Sequence, residues 1–189
     1  MNTTKYLVFI VLCSCTLSVS DKEKGNNSTT ELYSYDVEQR IKDLEIDLVA
    51  PTIPPGVKLV TAVRTGNLVY LSGNGPLPAG NRKGYYGKVG KDLTVDEGYE
   101  AARSTGISLL KVLQDEIGDL NKVVRIVKVL GMVNCEPTFT EQPQVINGFS
   151  ELMIEVFGDR GKHARSAVGM TSLPWNLACE VEMIVEVQD

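Results

Sequence analysis

At 189 residues, with 43% hydrophobic and 23% charged side chains, the chain fits one ordinary globular domain plus an extension. A formal charge of −5 argues against phosphate-backbone binding as the main activity, because such binding rests on clustered Lys and Arg. One histidine and the absence of any P-loop or GxGxxG fingerprint leave no sequence basis for a catalytic metal, a Ser-His-Asp triad or a nucleotide cofactor, so no cofactor is expected.

Residues 1–20 read as a secretory signal: Lys5 opens it, Tyr6 to Cys13 is an unbroken apolar run, and Ser18-Val19-Ser20 is a small-x-small cleavage site. That run is too short to span a bilayer, so the expectation is a secreted or endomembrane-lumen protein with no membrane anchor after processing. Residues 21–35 form a polar segment with overlapping glycosylation sequons at Asn26 and Asn27. Cys13 and Cys15 leave with the signal. Cys135 and Cys179 remain, either as one disulfide or as two small buried hydrophobes.

Residues 36–50 are expected to hold an amphipathic helix from Asp36 to Ile46, with Val37, Ile41, Leu44 and Leu48 at helical spacing. The domain proper is expected over 51–189. Val57–Thr65 and Leu68–Ser72 read as paired strands around a Thr65-Gly66-Asn67 turn, and Asn81–Gly90 as a loop or irregular edge. Thr94 and Glu97 form a capping box for a helix that runs to Ile117 and stops at Gly118, with Tyr99, Ala102, Gly106, Leu109, Leu113 and Ile117 as its buried stripe. Lys122–Val133 reads as a central strand. Thr138 and Glu141 suggest a second capping box for a helix to Phe157, with Val145, Phe149, Leu152, Met153 and Val156 inward.

The stretch from Gly161 to Val187 carries the chemistry. His163 lies two residues before Arg165, and a closing strand alternates strictly. Leu177, Cys179, Val181, Met183, Val185 and Val187 point one way; Ala178, Glu180, Glu182, Ile184 and Glu186 point the other. The order β-β-α-β-α-β-β suggests an α+β sheet with both helices on one face. The other face is then open, and its apolar groups predict a homo-oligomer.

Several separated motifs resemble the YjgF/RidA family, also called endoribonuclease L-PSP-like. They are YLSGNGPLP (70–78), GKVGKDLTVDEGYEAAR (87–103), VINGFSEL (145–152) and HARSAVG…LP…EVEMIVEV (163–187). The resemblance covers roughly Val57 to Val187 and is closest to a longer subgroup with an extra N-terminal helix. It implies a fold like Bacillus chorismate mutase, assembled as a homotrimer with ligand clefts between subunits. It also implies hydrolysis of reactive 2-imino acids, such as 2-aminoacrylate and 2-iminopropanoate, to 2-keto acids and ammonium.

By that resemblance Arg165 stands at the substrate-carboxylate arginine, whose planar fork matches a carboxylate bidentately. Glu180 matches the acid that positions water, Asn147 an amide beside the pocket, and Ser72 and Gly73 the strand end lining it. Ion pairing, solvated carboxylates and a helix-surface amide are the structural alternatives for these groups. Leu59 departs from the family at a place commonly held by a substrate-contacting tyrosine, and Ala167 at one commonly held by cysteine; Tyr85 or Tyr86 are the available replacements. His163 is either a general base or, more simply, a loop-exposed histidine. Three functions therefore stand side by side. They are imine deaminase, a non-enzymatic small-carboxylate-binding or interaction protein, and an endoribonuclease, against which the acidic balance and the lack of a histidine pair weigh. The expected partner is a 2-imino or 2-keto acid, not nucleic acid.

Overall fold

Strand pairing follows the alternation of Cys179–Val187. In the computed structural model, which describes residues 32–189 except Pro51, Thr52 and Pro54, this strand lies at the centre of the sheet. The expected signal, the sequons and most of the polar segment lie outside the described residues. Eight elements follow in order: α1 (Val37–Asp43), β1 (Ala62–Thr65), β2 (Leu68–Asn74), α2 (Val95–Ile117), β3 (Val123–Asn134), α3 (Gln142–Phe157), β4 (Ala164–Met170) and β5 (Cys179–Val187). Short 3-10 turns sit at Leu120–Lys122, Gly158–Gly161 and Pro174–Asn176.

Among the described residues the strands form one sheet of order β1-β2-β5-β3-β4. The β3–β4 pair is parallel, as a crossover through α3 requires, and the other pairs are antiparallel. Cys179, Val181, Met183, Val185 and Val187 are all buried against α2 and α3, together with Val69, Leu71, Val129 and Val133 from neighbouring strands. Burying a side chain of this size stabilises the fold by about 2 kcal/mol.

Thr94 Oγ1 accepts the Glu97 N–H at 3.1 Å and Glu97 Oε2 accepts the Thr94 N–H at 2.9 Å, so the first capping box forms as expected. Gly118 ends α2 in the left-handed region at φ 79°. The two long helices cross closely: a Cβ on Gly148 would lie 2.1 Å from the Tyr99 carbonyl oxygen, and one on Gly106 would lie 2.8 Å from Leu152 Cδ2. α1 docks through buried Val37 and Ile41, with Asp36 capping its start.

Several expectations need correction. The strand expected from Val57 is laddered only from Ala62, because β1 is an edge whose one partner, β2, bulges beyond Leu71. The helix of the 36–50 segment ends at Asp43, where Glu45 turns to positive φ. The Thr138–Glu141 box does not form: Glu141 is itself the N-cap, without a side-chain cap bond, and Pro143 supplies a first-turn residue lacking an N–H. Tyr99 is half-buried, with its hydroxyl donating to Glu151 Oε2 at 2.8 Å. Ala178 precedes β5 and is buried by the 85–87 loop, its N–H donating to the Tyr85 carbonyl. Residues 32–35, expected to end the polar segment, pack on the domain: Tyr33 is buried and its hydroxyl donates to the Val123 carbonyl at 2.6 Å. Cys135 and Cys179 are both free and buried, with burial pushing the Cys179 thiol up to about 12.

The sheet face away from the helices is uncovered in the single chain. Tyr70, Val63 and Val168 are exposed there. Lys128, Glu182 and Ile184 help line a hollow of about 410 Å³ on it.

Candidate functional site

Arg165 is the second residue of edge strand β4, in register with Val129 of β3, which in turn faces Met183 of β5. Residues in register share a face, so Arg165 points to the helix side. There Nη1 donates to Asn147 Oδ1 at 2.9 Å and to Ser150 Oγ at 3.0 Å, and Nη2 donates to the Pro143 carbonyl at 3.4 Å. Pro143, Asn147 and Ser150 are spaced four and three apart, so α3 presents all three along one edge. A guanidinium has five N–H donors, and these three bonds leave two for an incoming anion.

His163 lies two residues before Arg165. It is half-buried, not loop-exposed, with its ring edge-on to Phe149 at 6.0 Å between centroids. Its Nε2 is 3.0 Å from Ser150 Oγ and its Nδ1 is 2.7 Å from the Gly161 carbonyl oxygen. Burial lowers its pKa below the ordinary 6.5; the Gly161 bond opposes that shift and the nearby Arg165 charge adds to it.

Glu180 lies on the opposite face. It is in register with Met132, itself opposite Val168 of β4, and one position out of phase with the buried Cys179 and Val181. Its carboxylate fills the space a side chain at Gly73 would need, since a Cβ there would lie 2.1 Å from Glu180 Oε1. The β2–β5 register shifts at this point, between Leu71 and Asn74, which widens the ladder around Ser72 and Gly73. Burial, with a contribution from Glu182, holds the Glu180 carboxyl above its usual range. Ser72 is half-buried, and its hydroxyl donates to the Val60 carbonyl at 2.6 Å.

Within one chain the site residues therefore fall into two groups. Arg165 and Asn147 are bonded on the helix side; Ser72, Gly73 and Glu180 cluster on the open face. Leu59 is 46% exposed on the segment leading into β1, and Tyr86 is exposed beside Leu177. Ala167 is half-buried in β4 between Ser166 and Val168. Sequence reasoning missed Ser150, the residue joining Arg165 to His163. Two spacings carried the signal: Asn147 and Ser150 three apart on a helix, and His163 and Arg165 two apart entering a strand.

A family model described as "YjgF/chorismate mutase-like, putative endoribonuclease" matches residues 56–187. The chain is 41% identical over 137 residues to Protein TCP17 of Trypanosoma cruzi, across 71% of this chain and 84% of that protein. Among solved structures it is similar to Atu1372, a protein of unknown function from Agrobacterium tumefaciens. The two share 37% identity at a TM-score of 0.73, over 80% of this chain and 93% of the other. A Shewanella oneidensis protein with the same endoribonuclease description is similar at 27% identity and a TM-score of 0.75, over 81% of this chain and 100% of its own. The model's span, the relatives' identity and the single β-β-α-β-α-β-β sheet agree: the chain belongs to the YjgF/RidA family and has its chorismate-mutase-like α+β fold.

Proposed function

We propose that this protein is a cofactor-independent imine hydrolase that converts 2-imino acids to 2-keto acids and ammonium, in clefts formed between the subunits of a homotrimer. The observation that carries the proposal is the clamped guanidinium of Arg165. It sits at a sheet edge, held by α3 through Nη1, with donors left over for a carboxylate.

The chemistry asks little of the protein. A protonated imine is already electrophilic, so water adds to the imine carbon, the carbon–nitrogen bond breaks in the tetrahedral adduct, and ammonium leaves with the carbonyl formed. Arg165 fixes the carboxylate one bond from the reacting carbon. Glu180 lies on the other face of its own sheet, so in this reading it is supplied to the cleft by a neighbouring subunit. There its raised pKa suits it to take a proton from the attacking water and return one to the leaving nitrogen. The uncovered sheet face, with Tyr70 and Val63 exposed on it, supports assembly through that face.

The test is keto-acid release from imines generated in situ by an amino-acid oxidase. Arg165→Ala is expected to remove the acceleration while leaving the assembly intact. Full activity in that variant contradicts the assignment.

One alternative has its own support. Leu59 brings no hydrogen-bonding group to the place where the family commonly has tyrosine, and the Ser72 hydroxyl is already committed to Val60. A carboxylate-binding protein without turnover fits those two facts. Calorimetry with 2-oxobutanoate, followed by the turnover assay, separates the readings: binding without turnover selects the binder.

A further inference from the structure

The Arg165 clamp ends on the chain's one histidine, and each hydrogen bond leading there has a forced direction. The Gly161 carbonyl oxygen only accepts, so Nδ1 of His163 carries the hydrogen that reaches it at 2.7 Å. In neutral imidazole Nε2 is then bare and accepts the Ser150 O–H at 3.0 Å. With its hydrogen pointed at His163, Ser150 Oγ offers its lone pairs to Arg165 Nη1, also at 3.0 Å. Gly161 to His163 to Ser150 to Arg165 is thus one line of bonds with a single polarity.

We propose that Ser150 and His163 are positioning residues for Arg165: neutral His163 orients the Ser150 hydroxyl to accept from the guanidinium, and a proton on His163 reverses that orientation and weakens carboxylate binding. This rests on Arg165 being the carboxylate site. With Nε2 protonated, imidazolium and guanidinium are two cations donating to one hydroxyl oxygen. The Ser150 hydrogen must leave its place, and the like charges repel across it.

Charged groups on the surrounding elements are engaged elsewhere. On α3, Glu151 accepts from the Tyr99 hydroxyl and Glu155 pairs with Arg103 at 2.6 Å. On the turn before β4, Asp159 pairs with Lys162 at 2.5 Å, and Arg160 donates to the Leu32 and Val124 carbonyls. On β3, Lys128 donates to Ser166 Oγ on the opposite face. Among the described residues Arg165 is therefore the charge that faces His163, and it opposes protonation, as burial does.

A single histidine makes the chain readable by NMR without assignment. In the full chain at pH 7.5 the ring nitrogens should report the Nδ1–H tautomer with Nε2 accepting a hydrogen bond; the opposite tautomer contradicts the line of bonds. Calorimetric titration with 2-oxobutanoate from pH 8 to pH 5, where its carboxylate stays ionised, then reads the consequence. Wild-type affinity should fall about tenfold as His163 protonates, the size expected for losing one charge-assisted bond. His163→Gln, whose amide oxygen replaces the Nε2 acceptor, should keep the pH 7.5 affinity and lose the pH dependence. Ser150→Ala should bind about tenfold more weakly at pH 7.5, and Ser150→Thr should recover that loss. Affinity that stays constant across the pH range in which the His163 ring nitrogens report protonation, or is unchanged in Ser150→Ala, overturns the positioning role while leaving the Arg165 site standing. No 2-oxobutanoate binding by the wild type at any pH overturns the carboxylate site and this role with it.

Discussion

Glu180 is held in an unfavourable place for a carboxylate, half-buried beside Glu182 with its pKa raised. The folded chain therefore keeps this proton to higher pH than the unfolded chain does. Stability is lost as pH rises from about 4.5 through the raised value, and the full penalty remains above it. Glu180→Gln should then raise the melting temperature at pH 7, and the gain should vanish near pH 4. A variant that melts lower than wild type at pH 7 would show that the carboxylate is stabilising. The same substitution should abolish turnover, so stability and activity move in opposite directions. Gly73→Ala tests the cradle from the other side. The added methyl meets the far end of the Glu180 side chain, so the carboxylate swings away, the fold survives, and imine turnover falls roughly a hundredfold. Unchanged turnover would mean that Glu180 does not act where this structure holds it. Arg165, Asn147 and Glu180 were singled out as candidates because they sit in separated motifs. Their division between two faces was not legible. Alternation assigned Glu180 to the face opposite Val181, but the face of Arg165 depends on its non-local register with Val129, which no local pattern encodes.

Among elements, α2 and α3 are the pair that positions the site, because α3 carries every described hydrogen-bond partner of Arg165. Gly148 allows their close approach at Tyr99. Gly148→Ala forces a methyl into the backbone of α2 and should cost about 3 kcal/mol in denaturant unfolding, with Arg165-dependent binding weakened because Asn147 moves. A loss below roughly 0.5 kcal/mol, the scale of a neutral surface change, would mean that the crossing relaxes freely. Gly106 was legible as a close-packing position; Gly148 was not, since VING reads equally as a helix surface. The two expected capping boxes divide instructively. The Thr94–Glu97 box forms because four residues with ordinary N–H groups follow in helical geometry. Thr138–Glu141 fails because Pro143 moves the start of α3 to Gln142, whose side chain turns back to the Phe139 carbonyl at 2.7 Å. The same residue spacing means different things depending on where a proline falls.

At the scale of the whole molecule, the single chain buries one sheet face and leaves the other with Val63, Tyr70 and Ile184 around a hollow of about 410 Å³ and with Val168 exposed. Light scattering at micromolar concentration should give three times the chain mass. Tyr70→Asp should yield a folded monomer without imine turnover; a wild-type monomer would remove the shared-cleft account. The central claim is that Arg165 and Glu180, on opposite faces of one sheet, work together only across a subunit boundary. Its most direct test is to unfold and co-refold Arg165→Ala with Glu180→Gln and assay imine hydrolysis. Each variant alone should be inactive, and mixed assemblies should recover activity wherever an intact Arg165 meets an intact Glu180 from its neighbour. Mixed assemblies that form but stay as inactive as their parents would contradict it.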